Sequence, residues 1–184
     1  MQGTDGELIR QAQAGSREAF GALVQQHQGR VCSFARRLCG NPDNALDIVQ
    51  DTFIKAWHAL PQWRPEARFE TWLLRIARNT AFDALRRTGQ APESLSDDQP
   101  LVDPGPTPLR QLENERSIIR LEALLLQLPL AQREVLLLRE MDGFSYQEIA
   151  FALEISEGTV KSRLARAREA LLQARRATTG DSDD

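Results

Sequence analysis

The sequence predicts an all-α protein of two small helical domains joined by a flexible acidic linker. Three observations predict it. Apolar residues recur at spacings of three and four through residues 5–88 and again through 109–174, the period of a helix with one buried face. Neither stretch has a period-two run bounded by turn residues, so no sheet is read. Between them, residues 90–108 contain Pro92, Pro100, Pro104, Pro106 and Pro108 with few apolar side chains, the composition of an extended tether. The 184 residues, 41% of them apolar, suffice for two small cores. The boundaries read as 1–89 for the first domain, 90–108 for the linker, 109–177 for the second domain and 178–184 for a disordered acidic tail.

In the first domain the spacing predicts helices near 5–14, 17–39, 43–60 and 69–88. Ser16 is placed to cap the second helix through its hydroxyl. Asn41-Pro42-Asp43 ends that helix and opens the next, with Asn as cap and Pro in the first turn. Pro61 and Pro65 bracket an irregular loop before the fourth helix. In the second domain helices are predicted near 109–127, 130–141, 146–153 and 157–174. Ser145 and Glu148 form a capping box, Ser-x-x-Glu, and Ser156 caps the last helix.

The net charge of −3 alone argues against a free-standing nucleic-acid binder. Its distribution says more. Residues 1–90 carry 12 basic and 9 acidic side chains, and residues 109–177 carry 11 and 10. The strip between them has Glu93, Asp97, Asp98 and Asp103 and no base, and the tail adds Asp181, Asp183 and Asp184. The longest nearly apolar stretch, Ala123 to Leu130, is interrupted by Gln127 and Pro129 and falls short of the ~18 residues of a membrane span. The first residues lack the basic segment and apolar run of a secretory signal. The chain is expected to be cytoplasmic.

Cys32 and Cys39, seven apart on one helix, sit roughly 10 Å apart along its axis, too far to pair while the helix is intact. His27 falls on an apolar face with Phe20, Leu23, Val24 and Val31, where a buried, hydrogen-bonded imidazole is expected. Trp57, Trp63 and Trp72 read as packing residues. No His, Cys or Ser is paired with a base at useful spacing, and no Gly-rich phosphate loop is found. No catalytic residue, metal site or cofactor is expected, and the protein is not read as an enzyme.

Residues 130–173 read as a supporting helix followed by two helices joined by a tight turn. Ile149, Ala150 and Leu153 supply the inner face of the first of these. Val160, Leu164, Ala167 and Leu171 give the second one apolar stripe. The opposite face is read as Ser162, Ala165, Arg166 and Glu169, flanked by Lys161 and Arg168 on one side and Thr159 and Arg163 on the other. From Gly158 to Arg176 there are six basic residues and one acidic. This is a helix-turn-helix pattern: cations for phosphates, short side chains toward bases. The run Phe144-Ser145-Tyr146-Gln147-Glu148-Ile149-Ala150, followed by Gly158-Thr159-Val160-Lys161-Ser162-Arg163-Leu164-Ala165-Arg166-Ala167-Arg168, closely resembles the promoter-reading module of extracytoplasmic-function sigma factors. Leu128-Pro129 and Gln132 to Leu138 resemble its supporting helix. The resemblance implies that this module reads the upstream (−35) promoter element and docks on the flap of the polymerase β subunit. It places Lys161, Ser162, Arg163, Ala165, Arg166 and Arg168 at the DNA. Many helix-turn-helix proteins have Gly at the tight turn, whereas here Glu154 occupies it.

A helix-turn-helix alone also suits a stand-alone regulator with an N-terminal sensing domain. The first domain separates the two readings. In the helix near 43–60 the core stripe is read as Leu46, Val49, Phe53, Ala56 and Leu60. The other face presents Asp47, Gln50, Asp51, Ile54 and His58, which by composition is either a solvated acidic face or a docking patch. The string Asp47-Ile48-Val49-Gln50-Asp51-Thr52-Phe53-Ile54-Lys55-Ala56-Trp57 resembles the signature by which sigma factors grip the clamp helices of the polymerase β′ subunit. The resemblance therefore assigns Asp47, Gln50, Asp51 and Ile54 to core-polymerase binding.

In the next helix, Phe69, Leu73, Ile76 and Ala77 are read as inward. Arg75, Arg78, Asn79, Phe82 and Arg86 share another face, and arginines interleaved with a ring suit single-stranded DNA. Arg68 to Asn79 resembles the family's promoter-melting segment, which adds Arg68 to the single-strand set. The loop Gln62 to Arg68 falls where family members capture a base flipped from the downstream (−10) element. The resemblance covers roughly residues 7–88 and 109–173. It implies three partners: core polymerase, promoter DNA and an anti-sigma factor. A helical nucleotide hydrolase using Asp47 and Asp51 for metal is a third reading, which lacks a second acidic cluster and a phosphate loop.

Overall fold

A computed structural model describes residues 3–87 and 115–180, and every described regular element is helical. The chain divides into two compact units, Met1–Gln90 and Ala91–Asp184. The expected linker 90–108, residues 181–184 of the expected tail and the first turns of the helix expected from residue 109 lie outside the described residues; residues 178–180, expected to begin the disordered tail, are instead the end of the last helix.

The first unit contains α1 (Gly3–Gln13), α2 (Arg17–Cys39), α3 (Pro42–Ala59), a 3₁₀ turn (Leu60–Gln62) and α4 (Phe69–Arg87). The boundaries follow from the caps. The Ser16 hydroxyl accepts from the Ala19 N–H at 3.2 Å. Hydrogen bonds from its own backbone N–H and then from Ser16 hold the Glu18 carboxyl below the usual carboxylate range. Gly40 ends α2 at φ +72°, and the Asn41 side chain accepts from the Asp43 N–H at 2.9 Å to open α3. α2, α3 and α4 pack on one another around Leu23, Val31, Phe34, Ile48, Leu73 and Leu74, all fully buried. Each such side chain contributes roughly 1.5–3 kcal/mol by leaving water. α1 closes the unit over α2 with Ile9 and Ala12.

α3 is rotated from the expected stripe. Its buried residues are Ala45, Ile48, Thr52, Phe53 and Ala56, while Leu46 is 64% exposed. Small side chains at 45, 52 and 56 let neighbouring helices approach closely, and that seam excludes Leu46. The Thr52 hydroxyl is satisfied within the seam by the Ile48 carbonyl at 2.6 Å. His27 is buried, packed edge-on against Phe69, with Nε2 at 3.4 Å from an Asp5 carboxylate oxygen. The expected burial holds, and among the described residues none makes a hydrogen bond with Nε2. Cys32 and Cys39 are not joined in a disulfide.

The second unit contains α5 (Glu115–Gln127), α6 (Leu130–Leu136), a π turn (Leu137–Met141), α7 (Tyr146–Leu153) and α8 (Glu157–Gly180). The helix expected over 130–141 is therefore two pieces. Its second piece is hydrogen-bonded in the wide register, with the Asp142 N–H on the Leu137 carbonyl. The capping box of α7 is complete: the Glu148 N–H donates to Ser145 Oγ at 3.2 Å and the Ser145 N–H to the Glu148 carboxylate at 2.9 Å. Ser156 caps α8 through the Thr159 N–H at 3.0 Å. Glu154 makes the tight turn in the left-handed region, φ +56° and ψ +43°, the one described non-glycine residue with positive φ. For a residue with a Cβ that region costs roughly 1–2 kcal/mol. Glu154→Gly is accordingly expected to stabilise this unit by about 1 kcal/mol, the gain being trimmed by glycine's freedom in the unfolded chain; a higher urea midpoint at unchanged slope is the measurement.

Candidate nucleic-acid and protein interfaces

The exposed side of α3 gathers Asp47, Gln50 and Ile54, with Asp51 half-buried beside them. Ile54 is 50% exposed, and the rotation of the helix adds Leu46 to the same side. The result is an acidic face carrying two large aliphatic side chains, unlike a surface whose task is only to be wet. Asp47, Gln50 and Asp51, with Asn44, also line a cleft of about 350 Å³ whose other wall is Ala84 and Arg87 of α4. Neither Leu46 nor Arg87 was expected here. The missed signal is the run of small residues in α3, which marks the true inner face and so turns Leu46 outward. His58 is exposed at the end of the same helix.

On α4, Phe69, Leu73 and Ala77 are buried as expected, and Ile76 is half-buried. Arg75, Arg78 and Phe82 are half-buried, and Asn79 and Arg86 are exposed. Arg78 lies over the Phe82 ring at 4.1 Å from its centroid and donates to Asn79 Oδ1 at 3.2 Å. A guanidinium stacked on a ring presents both a cation and a π face at one place, which is what an unstacked nucleotide meets best.

The loop before α4 is held at both ends. Gln13 Nε2 donates to the carbonyls of Leu60 and Trp63, each at 3.0 Å. The Glu70 carboxylate pairs with Arg30 of α2 at 3.0 Å and with Arg68. Trp63 of the loop clusters with Phe69 and Trp72 of α4, ring centroids 5.4–6.1 Å apart.

In the second unit, α8 packs against α5, α6 and α7. That corrects the expected outer face. Ser162 is 6% exposed, Ala165 3% and Arg168 3%, because a helix flanked by several neighbours has more than one buried stripe. The Ser162 hydroxyl is turned back onto the Thr159 carbonyl at 3.0 Å. Arg168 binds Glu140 at 2.6 Å, and Arg163 pairs with the buried Glu134 at 3.3 Å. These two cations are part of the fold's internal polar network. Lys161 is exposed and Arg166 half-exposed. Tyr146, at the start of α7, has Arg139 over its ring at 4.9 Å and Lys161 at 5.8 Å.

Among the described residues no group of three or more His, Cys, Asp or Glu is placed to hold a metal, and no helix is long and apolar enough to cross a membrane.

Comparison with known proteins matches residues 23–90 to sigma-70 region 2 and residues 118–171 to sigma-70 region 4. The chain is 41% identical over 179 residues to the RNA polymerase sigma factor NccH of Alcaligenes xylosoxydans xylosoxydans, covering 92% of this chain and 95% of that protein. It is 37% identical over 177 residues to the ECF RNA polymerase sigma-E factor of Escherichia coli strain K12, covering 91% and 92%. Among solved structures, CnrH in complex with the cytosolic domain of CnrY is similar with a TM-score of 0.69 and 30% identity, over 98% of this chain and 99% of that one. The sigma factor RpoE of Bartonella quintana, solved with the anti-sigma factor NepR, gives 0.65 and 28%, over 85% and 96%. With both regions matched in order and relatives of that name aligned along most of its length, the chain belongs to the extracytoplasmic-function group of the sigma-70 family, and its function is promoter-specific initiation of transcription.

Proposed function

We propose a division of labour in which the unit of residues 1–89 binds core polymerase and the opened strand, and the unit of residues 109–177 reads duplex DNA. Asp47, Gln50, Asp51 and Ile54, with Leu46, dock on the β′ clamp helices. The observation that carries this is the face of α3, where two exposed aliphatic residues stand among carboxylates; a basic, partly apolar partner surface is its complement. Arg68, Arg75, Arg78, Asn79, Phe82 and Arg86 hold the separated strand, and the loop Gln62–Arg68 captures one extruded base of the downstream element. Lys161 and Arg166 face the upstream element, with Arg163 at its flank. Ser162, Ala165 and Arg168 support that helix from inside.

Strand opening in this scheme is driven by binding, without nucleotide hydrolysis, so the protein acts in the cytoplasm as a factor and catalyses nothing itself. Residues 90–108 join the two units, and the second unit also meets the β flap. Both solved relatives described above are complexes with partner proteins, one of them an anti-sigma factor, and we assign this chain an anti-sigma partner of its own. The deciding experiment is co-purification with bacterial core polymerase followed by promoter-dependent transcription; a chain that binds promoter duplex tightly alone and never associates with core overturns the proposal.

The DNA roles separate by mutation. Arg166→Ala is expected to cost about 1–3 kcal/mol of discrimination among upstream sequences. Arg75→Ala with Arg78→Ala should leave that discrimination intact and reduce permanganate reactivity of the opened region.

A further inference from the structure

The segment that enters α4 is pinned from two other helices by side chains that no contact with DNA explains. Gln13, half-buried on α1, spends both amide protons on the carbonyls of Leu60 and Trp63, 47 and 50 residues away. Only the NH₂ end of a glutamine can serve two carbonyls, so its orientation is fixed by the bonds themselves. These carbonyls belong to the 3₁₀ turn after α3 and its cap, where Leu60 also accepts from the Trp63 N–H at 3.0 Å and Trp63 from Arg64 at 3.1 Å. At the far end, Glu70 holds Arg30 of α2 with one carboxylate oxygen and Arg68 with the other. A loop of this length would otherwise sample many conformers, and a pocket that tells one base from another needs walls set before the base arrives.

We propose that Gln13 and Glu70 are positioning residues for base selection: they hold the entry and exit of the Leu60–Arg68 segment so that Trp63 and Arg68 keep one arrangement before the extruded base arrives. This rests on the reading of that loop as the site of base capture.

Holoenzyme reconstituted from the full chain and core polymerase is assayed on promoter fragments whose downstream element is pre-melted and varied one base at a time on the non-template strand. Gln13→Glu, which puts acceptors where donors were, is expected to lower preference for the favoured base about tenfold, the factor that two hydrogen bonds of ordinary net strength supply. Glu70→Gln, which keeps the size but loses the charge, is expected to lower it in the same direction; being at a half-exposed site, it carries the test if Gln13→Glu fails to fold. Core-polymerase affinity and upstream duplex binding should stay at the wild-type level. Trp63→Ala is the reference for the loop itself. Loss of preference with Trp63→Ala but with neither positioning variant overturns the positioning role alone. Unchanged preference in all three overturns the loop reading and the inference with it. A fall in core affinity equal to the fall in preference also overturns the inference, by showing that the bonds serve only the fold.

Discussion

Asp47→Arg combined with Ile54→Ala is expected to weaken association with core polymerase by about 4 kcal/mol, near a thousandfold in dissociation constant. Two losses add. The reversed charge meets a basic partner surface, where like charges brought together cost several kcal/mol, and the aliphatic contact of Ile54 disappears. Both side chains are exposed in the free chain, so helix content and melting temperature should not change. Titration of labelled chain with core polymerase at two salt concentrations measures it. The deficit should shrink as salt rises, since the electrostatic part is screened. Wild-type affinity in the double variant would remove α3 from the interface.

Arg168→Ala is expected to destabilise the second unit by about 3–5 kcal/mol, the cost of leaving a partly buried carboxylate without its partner. Glu140, mostly buried, would lose its 2.6 Å bond to Arg168. DNA binding would fall as well, but through unfolding, and it should return at lower temperature. Arg166→Ala, two residues earlier, should show the reverse pattern, with stability near wild type and sequence preference lost at all temperatures. The double replacement Arg168→Met with Glu140→Met tests the assignment from the other side. With both charges gone and the volume kept, most of the lost stability should be recovered. Urea denaturation of the three variants gives the comparison directly.

The helices were legible because their ends are written in side chains. Ser16, Asn41, Ser145 with Glu148, and Ser156 each cap where expected, and the helices over 17–39 and 146–153 match to the residue. Rotation about a helix axis was harder to read. In α3 two adjacent stripes both carry apolar residues, and choosing Leu46 over Ala45 follows hydrophobicity where close helix approach decides. In α8 a single stripe is the right expectation for one packing partner, but the helix has several, so Ser162, Ala165 and Arg168 turn inward. Long-range pins were not legible at all. Nothing near Gln13 in sequence points to carbonyls some fifty residues on, and Glu70 looks like an ordinary first-turn acid until Arg30 is beside it.

The π turn after α6 has a consequence for chain length. Over Leu137–Met141 the hydrogen bonds reach back five residues instead of four, so the helix holds one residue more than an α-helix of the same rise would need. That surplus residue sets the angular phase of the side chains around it, including Glu140, which meets Arg168, and Arg139, which donates to the Phe144 carbonyl at 2.7 Å. Substitutions in this stretch alter one side chain at a time and leave the phase alone. Inserting one more residue ahead of Glu140, where one surplus residue is already absorbed, would swing the side chains beyond it by about 100°, parting Glu140 from Arg168 without touching either. Along this helix, the number of residues is itself a constraint, separate from their identity.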